Sequence, residues 1–285
     1  LNQVGHEWQL CPTDEHYGAN KRAILRHLPD VTDVVVLGGD GTFNLVVNFL
    51  QGSDVRVGLI PAGTGNDFAR AWYGDKRRDL SYIIDTVTGD HTVSISLGCC
   101  EFDQRTMSES GDKVRYFHNI LGMGFDAVLA KGLRHNKGWF QRLGYMLAAI
   151  KHIPFYKEQD CDVQLNGQRI QYKNLITVFA NSAFFGSGMH IAPDADPKLS
   201  SLLCVRVDKP RLWTKLVLFA KLLIGKHKNA KHVQMTTFDG DVFVRTAGLD
   251  LEADGEYIGT SPCAVRVVPH ALKLKCQRRE IRNPR

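Results

Sequence analysis

Two glycine-rich segments contain the residues of this sequence that are best suited to hold an anion. Residues 37–42 read Leu-Gly-Gly-Asp-Gly-Thr, and residues 61–68 read Pro-Ala-Gly-Thr-Gly-Asn-Asp-Phe. Glycines let the backbone approach a bulky anion closely, and the free N–H groups of a helix start favour negative charge. Neither segment continues into Gly-Lys-Ser/Thr, as a P-loop does, and neither has the Gly-x-Gly-x-x-Gly pattern of dehydrogenases. We therefore expect a loop that binds nucleotide phosphates but differs from both of these known patterns.

Each segment lies between a strand-like and a helix-like pattern. Apolar runs at 34–37 and 55–60 precede the two segments. After the first segment, apolar residues recur at the offsets that line one face of a helix; they are Phe43, Val46, Val47 and Leu50. Two such turns at the ends of neighbouring parallel strands would bring the glycines together.

The same alternation of strands and helices extends over residues 1–92. A strand is predicted at 8–11, and helices are predicted at 18–28 and 80–87. Strands that alternate with helices in this order predict a parallel sheet with crossover connections. Residues 1–92 are therefore predicted to form an α/β nucleotide-binding domain.

The pattern changes at Thr92, where apolar and polar residues begin to alternate with the period of a strand. The pair Asn166-Gly167 lies between two such runs and predicts a hairpin. Further strands are predicted at 175–179, 203–207, 242–245, 249–253, 264–268 and 272–276, and helices at 142–151 and 212–224. We predict that residues 93–285 form an antiparallel β-sandwich domain, with the active site in the cleft between the two domains.

The composition is that of an ordinary globular protein, with 285 residues, 44% hydrophobic residues and a net charge of +6. No basic and aromatic repeat is present, so we expect no nucleic-acid partner. The seven cysteines are odd in number and include no Cys-x-x-Cys pair, which favours a reducing cytosol over disulfides or a zinc site. No apolar stretch approaches the ~20 residues that cross a bilayer. The sequence opens at Leu1 rather than at a methionine, and we expect it to be a piece of a longer chain.

The two glycine-rich segments and three later segments together resemble the diacylglycerol kinase catalytic domain family, which includes sphingosine kinases, ceramide kinases and short bacterial lipid kinases. The later segments are 119–127 (Asn-Ile-Leu-Gly-Met-Gly-Phe-Asp-Ala), 186–195 (Gly-Ser-Gly-Met-His-Ile-Ala-Pro-Asp-Ala) after Asn181, and 254–256 (Asp-Gly-Glu) before Pro262. NAD kinases also carry a Gly-Gly-Asp-Gly loop, but here the segments follow the family's order over nearly the whole chain.

This resemblance implies a nucleotide-binding α/β domain followed by a β-sandwich domain, ATP with Mg²⁺ as phosphoryl donor, and a lipid hydroxyl as acceptor. The nucleotide-binding residues that it implies are Thr13, Gly38, Gly39, Asp40, Gly41, Thr42, Phe43, Asn44, Gly63, Thr64, Asn66 and Asp67. Asn66 or Asp67 could instead cap the helix that follows.

Three acidic residues are the implied catalytic set: Glu256, Asp254 and Asp40. The resemblance implies Glu256 as the proton acceptor for the lipid hydroxyl, with Asp254 linked to Mg²⁺ through water. A carboxylate does not usefully face a naked polyphosphate, so Asp40 acts through Mg²⁺ or orients its loop. The alternatives are an exposed acidic turn at Asp254 and Glu256, and a simple turn residue at Asp40.

Two departures from the family pattern leave other functions open. Residues 199–204 (Leu-Ser-Ser-Leu-Leu-Cys) contain no acid where family members hold a structural Mg²⁺, so we do not expect that metal site in the family's form. The family's opening strand and its Asn-Pro-x-x-Gly phosphate loop have no counterpart in the given sequence. These departures favour, as one alternative to a lipid kinase, a catalytically silent protein that binds lipid or nucleotide. A NAD kinase is the other alternative, because it shares the Gly-Gly-Asp-Gly loop.

Two apolar segments with cations predict contact with a membrane surface. They are residues 211–223, followed by Lys226, Lys228 and Lys231, and residues 138–140 among Arg134, Lys137 and Arg142. Such segments can dock on an anionic leaflet, although an apolar helix that covers a β-sandwich is the commoner explanation of the first. We expect a cytoplasmic protein that associates peripherally with the inner face of the membrane. The identity of the acceptor lipid and the presence of a homodimer are left open.

Overall fold

The computed structural model describes residues 7–14, 16–103, 106, 108, 111–133, 151–208, 211–223 and 225–278. The predicted helix at 142–151 lies outside the described residues except for Lys151, and so does the predicted membrane segment around 138–140. None of the described helices is long and apolar enough to cross a membrane.

The first domain is built around two parallel strands. Strand β1 (Asp33–Gly38) pairs with β2 (Arg56–Pro61), so that the two strands end side by side. The helices of this domain are α1 (Tyr17–His27), α2 (Asp40–Leu50), α3 (Asp67–Tyr73) and α4 (Leu80–Thr88), with short 3₁₀ turns at Leu28–Asp30 and Gly74–Arg78. The predicted helical face of Phe43, Val46, Val47 and Leu50 is buried in the core of this domain. These elements confirm the predicted parallel α/β arrangement.

Two long strands join the first domain to the second. Strand β3 (Thr92–Phe102) runs antiparallel to β13 (Cys263–Lys275), and the end of β13 pairs in parallel with β2. The predicted strands at 264–268 and 272–276 therefore form one strand, with a shift of register between Val268 and Leu272. The chain thus returns to the first domain at its end.

The second domain is antiparallel. Its other strands are β4 (Val114–Phe117), β5 (Ile120–Gly124), β6 (Gln159–Leu165), β7 (Gln168–Ala180), β8 (Leu202–Asp208), β9 (Val233–Phe238), β10 (Val242–Val244), β11 (Asp250–Ala253) and β12 (Glu256–Thr260). The hairpin between β6 and β7 turns at Asn166 and Gly167, whose φ angles of 49° and 75° suit a type I′ turn. The fold class predicted from the sequence is confirmed.

Two apolar layers stabilise the second domain. One is enclosed by the strands themselves and contains side chains such as Phe117, Phe179 and Val265. The other lies on the outer face of β5, β7 and β8, where helix α5 (Phe125–Leu133), a 3₁₀ turn at Ile153–Phe155 and helix α6 (Leu212–Leu223) cover it. Helix α6 therefore forms where the sequence predicted a helix over a β-sandwich.

The predicted strand at 8–11 is wrong. Residues 7–14 have no regular secondary structure, and Trp8 and Leu10 are 54% and 73% exposed. Alternating apolar residues need a neighbouring strand to satisfy their backbone groups, and none of the described strands pairs with this stretch. The domain boundary between residues 92 and 93 stays a prediction, and the core of the first domain also takes Leu272, Leu274 and Cys276 from the end of the chain.

Candidate active site

The two glycine-rich segments touch through their backbones. Because β1 and β2 are parallel neighbours, Gly38 pairs with Pro61 and both segments leave the sheet at the same edge. A Cβ atom placed on Gly63 would lie only 2.4 Å from the Cα atom of Gly39. No side chain fits at that distance, so glycine is required for the two turns to meet.

The second segment is closed by the side chain of Asn66. Its Oδ1 accepts a hydrogen bond from the N–H of Gly63 at 3.0 Å, and its Nδ2 donates to the Gly63 carbonyl at 2.6 Å. Asn66 itself has a φ of 51°, a backbone conformation that asparagine tolerates. The amide of Asn66 is thus used within its own loop, whereas Thr64 is exposed at the rim.

Asp40, which belongs to the first glycine-rich segment, holds the second segment in place. Its two carboxylate oxygens accept hydrogen bonds from the N–H groups of Asp67 and Phe68, both at 3.0 Å, which are the first residues of α3. Asp67 in turn accepts a hydrogen bond from the N–H of Ser187 at 2.8 Å. Burial raises the pKa of Asp67 to about 6, and the neighbouring charge of Asp40 adds to the increase. Asp40 therefore caps α3, a role that the sequence left as an alternative for Asn66 or Asp67, and the geometry of Asp40 is that of a loop-orienting residue.

The two carboxylates of the late Asp-Gly-Glu segment point in different directions. Asp254 has a φ of 51° and a completely buried side chain, whereas the side chain of Glu256 is 54% exposed. Asp254 accepts hydrogen bonds from the N–H groups of His118, Asn119 and Ile120 at 3.0, 2.8 and 3.0 Å. Asp254 therefore does not face the cleft, as a carboxylate linked to Mg²⁺ through water would, because the amides of the turn before β5 hold it inside the protein.

His118 and Asn44 complete the surroundings of Asp254. The Nδ1 atom of His118 lies 2.7 Å from Asp254 Oδ2, and Asn44 Nδ2 donates to the same oxygen at 2.6 Å. Burial alone would raise the pKa of Asp254, but the charge and hydrogen bonds of His118 outweigh burial and lower that pKa below its usual range. Asp254 is thus a buried carboxylate that is kept ionised by its neighbours.

Glu256 extends from the second domain towards the first turn of α2. A Cβ atom on Gly41 would lie 3.7 Å from Glu256 Oε1. The other oxygen, Oε2, accepts a hydrogen bond from Arg115 Nη2 at 3.0 Å. A carboxylate with one oxygen beside the start of α2, and the other held by an arginine, can accept a proton from a group bound between the domains.

Two residues of the predicted nucleotide-binding set are core residues. Phe43 is fully buried and its ring lies 4.9 Å from that of Phe68. Asn44 is 1% exposed and bonds to Asp254 and to the carbonyl of Tyr116. Neither side chain has a face for a ligand, and the inward helical spacing of Phe43 already indicated its burial. The role of Thr13, which is exposed in the irregular stretch, stays a prediction, as do the roles of the glycines, Thr42 and Thr64.

Comparison with known proteins identifies the family. A model of the diacylglycerol kinase catalytic domain matches residues 1–100, and a model of the YegS C-terminal NAD kinase beta sandwich-like domain matches residues 119–276. The chain belongs to the diacylglycerol kinase catalytic domain family. It is therefore a lipid kinase, a phosphotransferase, and the family uses ATP as the donor.

The most similar proteins include curated kinases of bacteria. The diacylglycerol kinase of Mycobacterium tuberculosis is 29% identical over 243 residues, which cover 85% of this chain and 75% of that protein. The diacylglycerol kinase of Bacillus subtilis strain 168 is 29% identical over 269 residues, covering 92% and 83%. A crystal structure of a diacylglycerol kinase from Bacillus anthracis str. Sterne superimposes with a TM-score of 0.65 at 15% identity, covering 94% of this chain and 84% of that one. The last similarity shows a shared fold.

A polar cavity of the kinase opens beside the second glycine-rich segment. Its walls contain the backbone of this segment and the side chains of Arg70, Arg77 and Arg78. Arg77 and Arg78 come from the 3₁₀ turn after α3, in a charged stretch that the sequence analysis did not select. Guanidinium groups bind phosphate oxygens with matched geometry, so this cavity suits a polyphosphate.

The predicted metal ligands do not form a metal site of the protein's own. The carboxylates of Asp40 and Asp254 already accept backbone hydrogen bonds, and Asp254 has no exposed face. In the part of the chain that the structure describes, no group of three histidine, cysteine, aspartate or glutamate residues could hold a metal ion. A Mg²⁺ ion bound to a nucleotide would need only one or two protein carboxylates, because such ions keep phosphate oxygens and water as their other ligands. Of the three acids predicted from the sequence, Glu256 is exposed, Asp40 is half-buried and the side chain of Asp254 is buried.

An apolar cavity lies between α6 and the outer face of the sheet. It is lined by side chains such as Leu175, Val205 and Phe219. Asp126 also reaches this cavity, and burial raises its pKa to about 7. A Cβ atom on Gly122 would lie 1.8 Å from Asp126 Oδ2 and 2.7 Å from Glu252 Oε1, so these two buried carboxyl groups are neighbours. The sequence marked Asp126 as part of a motif and gave no signal for Glu252.

Proposed function

We propose that this kinase transfers the γ-phosphoryl group of MgATP to the hydroxyl of a lipid alcohol, diacylglycerol or a related lipid. The observation that carries this proposal is the position of Glu256, an exposed carboxylate of the second domain beside the start of α2 in the first. The glycine-rich segments and the arginine-lined cavity lie on the side of the first domain. We propose that the cleft offers an anion site and a proton acceptor to the same bound group.

The donor phosphates are proposed to lie against the glycine-rich segments. Phosphoryl transfer asks the protein mainly for placement and for neutralisation of charge. Backbone N–H groups of the segments and the guanidinium groups of Arg70, Arg77 and Arg78 supply both. The Mg²⁺ ion that comes with ATP neutralises further phosphate charge.

Glu256 is proposed to accept the proton of the lipid hydroxyl. As the hydroxyl oxygen forms its bond to the γ-phosphorus, the bond from that phosphorus to the bridging oxygen breaks and ADP leaves. The hydroxyl proton passes to Glu256 Oε1, while Arg115 holds Oε2 at 3.0 Å. The products are ADP and the phosphorylated lipid, and Glu256 then returns its proton to water.

The acyl part of the lipid is proposed to enter the apolar cavity beside α6. The acidic pair at its wall is joined to the Asp-Gly-Glu turn, because Glu252 Oε2 accepts a hydrogen bond from the N–H of Gly255 at 2.8 Å. The apolar cavity and Glu256 therefore lie in neighbouring parts of the second domain.

Peripheral membrane contact is proposed for the outer face of α6. Trp213 is 77% exposed, Val217 52%, and Phe155 on the adjoining 3₁₀ turn 81%. The 3₁₀ turn is held to α6 by the Lys215 ammonium, which donates to the Tyr156 carbonyl at 2.8 Å. Exposed aromatic and aliphatic side chains with nearby cations suit the surface of an anionic leaflet, here proposed as the inner face of the membrane.

Transfer of labelled phosphate from ATP tests the proposed function. Diacylglycerols, sphingosine, ceramide and phosphatidylglycerol are offered in turn, and the label is followed into the chloroform extract by thin-layer chromatography. Glu256→Gln is expected to lower turnover by roughly 10²- to 10⁴-fold, with KM for ATP within about twofold of wild type. Glu101→Gln is the matched control, because Glu101 is also a half-exposed glutamate that pairs with an arginine, Arg266.

Three results would contradict the proposal in different ways. An undiminished rate in Glu256→Gln would remove the assignment of the proton acceptor. Label in NAD rather than in lipid would support a NAD kinase. Lipid binding without any transfer, under saturating MgATP, would support a silent binding protein.

A further inference from the structure

The buried side-chain amide of Asn44 contacts two charged groups near the cleft, Asp254 and Arg115. Asn44 lies on α2 of the first domain and is 1% exposed. Its Nδ2 donates to Asp254 Oδ2 at 2.6 Å, and its Oδ1 accepts a hydrogen bond from Arg115 Nη2 at 3.1 Å. Asn44 therefore contacts a carboxylate and a guanidinium of the second domain at the same time.

Arg115 also contacts Glu256. The same Nη2 atom that donates to Asn44 also donates to Glu256 Oε2 at 3.0 Å. Arg115 is 6% exposed, and its guanidinium carbon lies 5.3 Å from the ring centre of Tyr17 on α1. The side chain starts on β4 of the second domain, yet its guanidinium is held by two helices of the first.

The anionic turn before Glu256 is fixed against the first domain as well. His118, the partner of Asp254, has its ring centre 4.8 Å from that of Phe43 and 5.1 Å from that of Phe68, in edge-on contacts. Phe43 and Phe68 belong to α2 and α3 of the first domain. Both ends of the Asp-Gly-Glu turn therefore depend on how the two domains pack.

We propose that Arg115 is the positioning residue of Glu256. We also propose that the hydrogen bond between Asn44 and Arg115 makes the position of Glu256 depend on how the two domains pack. An exposed glutamate samples several rotamers, and a hydrogen bond from a buried guanidinium selects one of them. A shift of about 1 Å in a reacting group can cost roughly 100-fold in rate. This inference rests on the proposed role of Glu256 as proton acceptor.

Arg115→Lys is the direct test of positioning. Lysine keeps the charge, but its side chain is shorter and lacks the planar guanidinium whose Nη2 atom reaches both Asn44 and Glu256. We expect kcat to fall by roughly 100-fold, with KM for MgATP within about twofold of wild type. Arg206→Lys is the matched control, because Arg206 is also 6% exposed, lies 5.0 Å from the ring of Tyr172, and bonds to Gln234 away from the cleft.

A double variant separates positioning from a general structural role. If Arg115 acts through Glu256, then Arg115→Lys in a Glu256→Gln background causes little further loss of the residual rate. A purely structural effect would multiply with the loss in Glu256→Gln. Asn44→Ala is expected to lower kcat in the same direction, and an unchanged kcat in that variant would remove Asn44 from the proposal.

A crystal structure of Arg115→Lys keeps the inference testable even if no lipid alcohol is phosphorylated. We expect Glu256 to leave its place beside α2 while the two domains keep their arrangement. Glu256 in its wild-type position would overturn the inference, and so would equal losses of kcat in the Arg115 and Arg206 variants. Failure of the wild-type kinase to transfer phosphate to any alcohol would instead overturn the proposed function.

Discussion

Asp254→Asn distinguishes a buried structural carboxylate from a metal-binding one. In the wild-type kinase, Asp254 Oδ1 accepts the N–H groups of Asn119 and Ile120, and Oδ2 accepts the N–H of His118 and the Nδ2 of Asn44. The amide of an asparagine can keep one of these pairs. Its NH₂ group then faces two donors of the other pair, and the negative charge that accepts those hydrogen bonds is lost.

The expected cost follows from the contacts that are lost. A hydrogen bond to a charged group contributes about 1.5–3 kcal/mol, and two such bonds are lost. We therefore expect the free energy of unfolding to fall by roughly 4 kcal/mol and the melting temperature by roughly 10 °C.

Thermal unfolding followed by circular dichroism measures this loss, and its pH dependence gives a second check. The pKa of Asp254 is lower in the folded protein than in the unfolded chain. Its stabilisation is therefore complete above the unfolded pKa of about 4 and is lost as the pH falls through the folded pKa. The difference between wild type and Asp254→Asn should be largest near pH 7 and shrink in acid.

A surface carboxylate gives the control for this experiment. Asp162 bonds to Arg169 on the exposed edge of the second domain, where solvent screens the pair, and Asp162→Asn is expected to leave the melting temperature nearly unchanged. If Asp254→Asn melted within a degree or two of wild type and lost only turnover, Asp254 would have a metal-binding role. The structural role of this buried carboxylate would then be wrong.

Three further predictions concern the glycine contact, the acidic pair and the membrane face. Gly63→Ala places a Cβ atom 2.4 Å from Gly39 and should weaken ATP binding in calorimetry by at least about tenfold, whereas Gly132→Ala, with open space around it, should not. The folded pKa of Asp126 is raised to about 7, so its contribution to stability is lost as the pH rises from about 4 to 7. Asp126→Asn should therefore melt at a higher temperature than wild type at pH 8, and a lower one would contradict the burial of this pair. Trp213→Asp should reduce sedimentation with anionic vesicles by at least about tenfold at unchanged melting temperature, and undiminished binding would exclude this face.

The parts of the fold that depend on local pattern could be predicted from the sequence. The helical spacing of Phe43, Val46, Val47 and Leu50 indicated a buried face because a helix brings these offsets together whatever it packs against. The Asn166-Gly167 turn was predictable for the same reason, since its backbone conformation is a property of the two residues. The predicted strand at 8–11 failed because a strand also needs a partner.

The orientation of the acids could not be predicted from the sequence. Asp254 and Glu256 are two residues apart, and a regular strand would put them on one face. The positive φ angles of Asp254 and Gly255, 51° and 88°, break that alternation. The N–H groups that donate to Asp254 belong to residues 118–120, far away in the chain. Only the folded structure therefore shows that the carboxylate of Asp254 is buried while that of Glu256 is exposed.

A crystal structure with Mg²⁺ and a non-hydrolysable ATP analogue would show whether the two domains hold the terminal phosphate between them. We predict that this phosphate lies between the start of α2 at Gly41 and the carboxylate of Glu256, with the remaining phosphates at the second glycine-rich segment. A nucleotide bound elsewhere, or a terminal phosphate beyond hydrogen-bond reach of any hydroxyl that Glu256 could contact, would contradict it.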